Sequence, residues 1–157
     1  MVTSLDDYTT EPFIINTGIP QGSPLSPIIY LFYNADLLEA CSQPSTYSTS
    51  IGYIDDMAIL AIEDTAEENC QTLAAIHERA KTWAFKHAFI FAEDKYELIH
   101  FMRPCTPQRT AQAMLNQPLI LPNRIIHPSK SSKYLGIILN PKLDWTVHLR
   151  EVEATAA

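Results

Sequence analysis

Tyr53-Ile54-Asp55-Asp56 stands between two short runs that both read as strands, Ser48 to Gly52 before it and Met57 to Ile62 after it. The second run is nearly all apolar, the pattern of a buried strand. The chain must therefore double back here, with two adjacent carboxylates at or near the bend. Successive residues of a regular strand point to opposite faces, so only one of the pair could serve a given site. A tight turn relaxes that limit. Two anions so close repel, and a divalent cation held by hard oxygens replaces that repulsion with ligation. Asp also favours β-turns for backbone reasons alone, so an Asp-rich turn with no ligand is the plainer reading of these four residues.

A chain of 157 residues bounds the answer to one domain with a real core. No apolar run reaches membrane-spanning length, since the stretch from Ile28 to Leu38 is broken by Asn34 and Asp36. No membrane partner is expected. Met1 is not followed by a basic and then an apolar segment, so no secretory signal is expected. Cys41, Cys70 and Cys105 are odd in number and lack metal-ligand spacing. Reduced thiols in an intracellular protein, nuclear or cytoplasmic, is the expectation. Charge is divided unevenly. Residues 1–78 hold twelve acidic residues and no Lys or Arg, while residues 79–157 hold eleven basic and six acidic ones, giving the net −7. The half with the Asp pair would need metal ions, or basic surface from elsewhere, to hold a polyanion.

Phe13-Ile14-Ile15 is a short strand candidate ahead of Gly18-Ile19-Pro20-Gln21-Gly22-Ser23-Pro24-Leu25-Ser26-Pro27. Two glycines and three prolines in that run dictate a loop, fixed in some places and open in others. Ser26-Pro27 predicts a helix start, and Ser23-Pro24 offers the same start one turn earlier. The helix from Ile28 to about Cys41 is apolar on most faces, which predicts burial. Thr65-Ala66-Glu67-Glu68 is a capping box opening a helix to about His87, with Cys70, Leu73, Ile76, Ala80 and Trp83 facing inward. Glu93-Asp94 reads as a turn and Lys95 to Met102 as a strand. Residues 103–112 read as loop, Leu119 to Ile126 as a weak hairpin, and Lys133 to Leu139 as one strand. A helix is expected from Trp145.

The Gly-Ile-Pro-Gln-Gly-Ser-Pro-Leu-Ser-Pro loop, a helix and the Tyr-Ile-Asp-Asp hairpin follow one another in fixed order. This set resembles the palm of reverse transcriptases (RNA-directed DNA polymerases), most of all those of non-LTR, LINE-like retrotransposons. Lys95-Tyr96-Glu97-Leu98-Ile99-His100-Phe101 looks like the family's next palm motif, and Tyr134-Leu135-Gly136-Ile137 like its primer-grip strand. The resemblance spans roughly residues 13–150. It implies an α+β fold, a palm-like antiparallel sheet packed by helices on one face. Residues 1–140 would be a partial palm and residues 141–157 the start of a thumb helix.

By the same resemblance the activity would be nucleotidyl transfer at a two-metal site, with Mg²⁺ or Mn²⁺ as cofactor. One metal lowers the pKa of the attacking 3′-hydroxyl, and the other neutralises the leaving pyrophosphate. Asp55 and Asp56 would be the metal ligands and Lys95 a cationic partner or proton donor near the triphosphate. Pro20, Gln21 and Gly22 would line the nucleotide and template pocket. Tyr53, Leu135 and Gly136 would lie along the primer. Plainer readings stand beside these: a solvated Lys95, a β-bulge at Gly136, a rigid helix lead-in at the proline-rich loop, and a core role for Trp83.

The pattern departs from the family in one respect that matters for activity. A further essential Asp belongs on an earlier palm strand several tens of residues before the loop, whereas seventeen residues precede Gly18 here. Asp6 and Asp7 sit in turn-like sequence and are poor stand-ins. The basic fingers region and the first palm strand are also expected to be missing. In a full-length enzyme the partners would be an RNA template, a DNA primer and dNTP, while this chain would bind nucleic acid weakly and be inactive alone. The alternative is a catalytically dead, palm-like remnant or an interaction module.

Overall fold

The computed structural model describes residues 4–5, 8–9, 18, 22–42, 47–103 and 105–156. Two compact units, residues 1–35 and 36–157, divide the chain within its first helix. The strand expected at Phe13 to Ile15 lies outside the described residues.

In the first unit β1 (Ser4–Leu5) pairs antiparallel with β2 (Tyr8–Thr9). Helix α1 (Ser26–Cys41) begins after the earlier of the two Ser-Pro pairs. The Ser23 hydroxyl accepts from the Leu25 amide at 3.3 Å, and the Ser23 carbonyl accepts from the Ser26 amide at 3.1 Å. These bonds satisfy backbone donors that a helix start leaves without intrahelical partners. The expectation that this helix is buried on most faces is not met. Ile28, Ile29, Leu31 and Phe32 are exposed, Phe32 to 78%. An all-round apolar helix carries no polar face to mark its solvent side, so composition overstated its burial.

The second unit is organised on α2 (Ala66–Lys86). Thr65 caps it with extended backbone: its hydroxyl accepts from the Glu68 amide, and the Glu68 carboxylate accepts from the Thr65 amide at 2.9 Å. Glu67 and Glu68 in the first turn and Lys86 in the last complement the helix dipole. At the far end Ala88 takes φ 52°, and the Phe89 amide bonds the Ala84 carbonyl at 2.9 Å, closing the helix. Ile76, Ala80, Trp83 and Ala84 form one cluster with Leu37 and Cys41 from the end of α1. Met57, Ile59, Phe89 and Phe91 pack against it. Cys70 joins a second cluster with Leu98, Leu119, Leu121 and Ile126. Helix α2 is thus the wall shared by two small cores.

The named strands pair antiparallel but do not merge into one sheet among the described residues. β3 (Ser48–Tyr53) pairs with β4 (Asp56–Ala61), β5 (Leu119–Leu121) with β6 (Arg124–Ile126), and β7 (Ser132–Tyr134) with β8 (Ile137–Leu139), each as a two-stranded hairpin. A mixed α+β protein was expected and is found, with hairpins where a continuous sheet was expected. α2 packs on β4 and β5, and α4 (Thr146–Ala156) packs on β8.

Three expected elements differ. Lys95 to Met102 is not a strand: a 3-10 turn covers Glu93–Lys95, and an irregular segment follows with one bridge, Leu98 to Pro128. Leu98 and His100 still turn inward at strand period, so the alternation was real but no neighbouring strand completes a ladder. Residues 103–112 were expected as loop, but from Gln108 the chain is helical, as α3 (Gln108–Leu115). Lys133 to Leu139 is broken at Leu135-Gly136, both with positive φ (48° and 84°). Two successive positive values are the signature of a type I′ turn, which Gly favours. Gly136 therefore closes a hairpin instead of forming a bulge.

Candidate active site

The β3–β4 ladder runs from Ser48 opposite Ala61 to Tyr53 opposite Asp56, leaving Ile54 and Asp55 as a two-residue turn. Tyr53 and Asp56 are directly opposed, so their side chains share one face of the hairpin. That face is solvent-exposed: Tyr53 is 58% accessible, and both Asp55 and Asp56 are exposed. The turn places the first carboxylate at the tip and the second one residue along, beside a phenol. Ile54 carries φ 52°. A β-branched side chain in the left-handed region is an outlier, sustained only where surrounding structure determines it.

Two exposed carboxylates on one tip suit a hard divalent cation of the Mg²⁺ or Mn²⁺ kind as part of an oxygen shell. Among the described residues no group of three or more His, Cys, Asp or Glu converges to hold a metal. The hairpin carries two exposed carboxylates on a single element.

The other expected site residues lie on separate elements. Pro20 and Gln21 fall outside the described residues. Gly22 has φ 87° and would meet no atom within 4 Å if given a Cβ, so its backbone conformation, not crowding, calls for glycine. Lys95 is exposed at the end of its 3-10 turn. That turn is fastened by Arg124, whose guanidinium donates to the Glu93 and Asp94 carbonyls. The Lys81 ammonium binds the Glu93 carboxylate and holds it below its usual range. Leu135 and Gly136 form the exposed tip of the β7–β8 hairpin. Trp83 is buried in the core, stacked on His87 at 4.3 Å between ring centroids. A depression of about 640 Å³ beside α3 and one of about 150 Å³ lined by His77, Lys81 and Glu93 both lie apart from the carboxylate hairpin.

Ser42, Ser50 and Gly52 drew no attention in the sequence. Ser50 donates its hydroxyl to the Leu38 carbonyl at 2.8 Å and lies 2.7 Å from the Ser42 hydroxyl, tying β3 to the end of α1. No signal in the sequence marked them, because the alternation of Ile51 and Tyr53 points to the opposite facing.

Exposed paired carboxylates beside a tyrosine, on a tight antiparallel hairpin in a mixed α+β domain, are an arrangement that can carry metal-dependent chemistry. The family model for "Reverse transcriptase (RNA-dependent DNA polymerase)" matches residues 2–139, and the chain belongs to this family. Among curated proteins it is similar to a probable RNA-directed DNA polymerase from transposon BS of Drosophila melanogaster, at 27% identity. That match covers 96% of this chain and 16% of the relative, so the chain spans about a sixth of the relative's length. No solved structure matches. No described helix is long and apolar enough to cross a membrane.

Proposed function

We propose that this chain carries the carboxylate-bearing palm portion of a LINE-like, RNA-directed DNA polymerase, with residues 1–140 in the palm and residues 141–157 beginning the thumb. The observation that carries this reading is the hairpin tip, where Asp55 and Asp56 stand exposed beside Tyr53 within the residues the family model matches. Asp55 and Asp56 would hold Mg²⁺ or Mn²⁺, which when bound supplies charge neutralisation for transfer of a nucleotidyl group to a primer 3′-hydroxyl. Tyr53 offers a flat exposed ring against which a primer-end sugar or base can rest. Lys95, free to reach solvent from a fastened turn, supplies positive charge for a triphosphate. Pro20, Gln21 and Gly22 would border the template and incoming dNTP, and Leu135 and Gly136 the primer strand.

Alone, the chain is proposed to be inactive on an RNA template with a DNA primer. Two carboxylates from one hairpin give a weak site, on the order of millimolar for poorly enclosed oxygen ligands. The twelve acidic residues of positions 1–78 repel nucleic acid and triphosphate alike. Mn²⁺ titration followed by electron paramagnetic resonance tests the ligands: binding should be weak and should vanish in Asp55→Ala and Asp56→Ala. Equal binding by the wild type and both variants would remove the metal-ligand assignment. Primer extension with Mg²⁺ or Mn²⁺ should give no product above background. Incorporation that disappears in Asp55→Ala would overturn the inactivity and establish a competent site.

A further inference from the structure

In β3 the small and polar residues turn inward. Ser48, Ser50 and Gly52 are half-buried, while Thr49, Ile51 and Tyr53 are exposed. Gly52 and Ser50 pair with Met57 and Ile59, which pack against the core. The hydrophobic preference of β3 therefore runs against its observed orientation. A one-residue shift would oppose Tyr53 to Met57 and Ile51 to Ile59 across a three-residue loop, Ile54-Asp55-Asp56. That register puts Ile51 and Tyr53 on the core side, and three-residue loops are common in hairpins. It would also release Asp56 from the ladder and free Ile54 from the constraint that sets its φ at 52°.

What opposes the shift is a closed ring of hydrogen bonds. The single hydroxyl proton of Ser50 goes to the Leu38 carbonyl at 2.8 Å, so in the 2.7 Å contact between the two hydroxyls Ser42 is the donor. Ser42 Oγ in turn accepts from the Ser50 amide at 3.1 Å. The Leu38 carbonyl also accepts from the Ser42 amide at 3.0 Å. Two residues along β3, a Cβ at Gly52 would lie 3.0 and 3.1 Å from the Leu38 methyl carbons, so a side chain as large as Ile or Tyr at that level must displace Leu38.

We propose that Ser50, with Ser42 and Gly52, is the register key of the carboxylate hairpin. These are positioning residues: they hold Asp56 opposite Tyr53 and Asp55 in the turn, and so decide which carboxylates meet a metal. The consequence for chemistry rests on the metal-ligand reading given above; the register assignment does not.

The test uses isotopically labelled full chain, with cross-strand nuclear Overhauser contacts and relaxation dispersion at Ile51, Tyr53 and Asp56. In the wild type, Ser50–Ile59 and Tyr53–Asp56 contacts and flat dispersion are expected. Ser50→Ala deletes two hydrogen bonds, so the shifted register should gain roughly twenty-five-fold in population, about one factor of five per bond. Exchange should appear, with Ile51–Ile59 contacts marking the alternative. Ser50→Thr should restore the wild-type pattern through its hydroxyl. Ser42→Ala, which leaves the Ser50 bond to Leu38, should act in the same direction and carries the test if Ser50→Ala does not fold. Lower melting temperatures with only native contacts and flat dispersion in both alanine variants would reduce these serines to ordinary stabilisers and overturn the proposal. Mn²⁺ broadening of the Asp55 and Asp56 amides is read on the same samples. Its absence from a wild type with native contacts would sink the metal reading and leave the register key standing.

Discussion

Ile76 has no exposed surface and sits in the cluster that also receives Met57 and Ile59 from the carboxylate hairpin. Ile76→Ala removes most of a fully buried side chain, a transfer loss of about 2 kcal/mol. The neighbours Leu37, Cys41 and Trp83 come from two different helices and collapse only partly into the space left. A cavity contribution of about 1–2 kcal/mol follows, for a total of about 3–4 kcal/mol, inside the range seen for such truncations. On the same helix Phe85 is 90% exposed, so Phe85→Ala should change stability by less than about 0.5 kcal/mol. Urea unfolding followed by helical circular dichroism compares the two. With an m-value of about 2 kcal/mol/M, Ile76→Ala should lower the midpoint by about 1.5–2 M and Phe85→Ala should leave it nearly unmoved. Amide exchange in β4 should quicken in Ile76→Ala alone, because Met57 and Ile59 lean on that cluster. A loss below about 1 kcal/mol, or equal shifts for the two variants, would refute the placement of the core and with it the seat of the hairpin.

Thr65→Ala should cost about 1 kcal/mol by removing the α2 cap, with Thr65→Ser restoring most of it in the same urea assay. Asp144 has its carboxyl lowered from 3.8 to about 2, first by the Thr146 hydroxyl, then by the Asn140 side chain and the Thr146 amide. Because the folded value is the depressed one, this stabilisation is complete above pH 3.8 and is lost as pH falls through about 2. Carboxyl carbon shifts of Asp144 followed by NMR should show that midpoint, and a value near 3.8 would refute the contact set. Tyr96 is pushed up to about 12, chiefly by burial and then by the Glu93 carboxylate. Its folded state holds the proton longer than the unfolded one, so stability should decline between pH 10 and 12. Ultraviolet difference titration of wild type against Tyr96→Phe isolates that phenol, and ionisation near pH 10 would contradict its burial.

The parts legible in the sequence were those where local chemistry and tertiary demand agree. Thr65 and Glu68 announce α2, and the three- and four-residue spacing of Cys70, Leu73, Ile76, Ala80 and Trp83 marks its inner face. The carboxylate bend and the Leu119 to Ile126 hairpin were likewise readable from apolar runs around a break. Failures came where composition hid a direction or a stop. Ile28 to Phe32 is apolar all round and points nowhere. The run from Lys133 to Leu139 looks continuous because a leucine occupies a left-handed turn position, and Gly136 was the clue against it. Gln108 to Leu115 follows prolines at 104 and 107, yet Gln, Ala, Met and Leu are good helix formers and prevail. At the candidate site the positions of Asp55 and Asp56 were readable, but the register between them was not. Ile51 and Tyr53 argue for the opposite facing, and only the partners of Ser50 in space reveal why it is not taken.

The three hairpins between residues 48 and 139 each close over two residues, Ile54-Asp55, Pro122-Asn123 and Leu135-Gly136. Contacts of such short sequence separation cost little loop entropy and form in about 1–10 μs. Long-range closure is concentrated on α2, which must gather β4 and β5 from either side in sequence. Folding should therefore be fast and its barrier set by docking onto α2. During synthesis the carboxylate hairpin can pair as soon as Ile62 emerges, before Arg79 and the basic residues after it have followed.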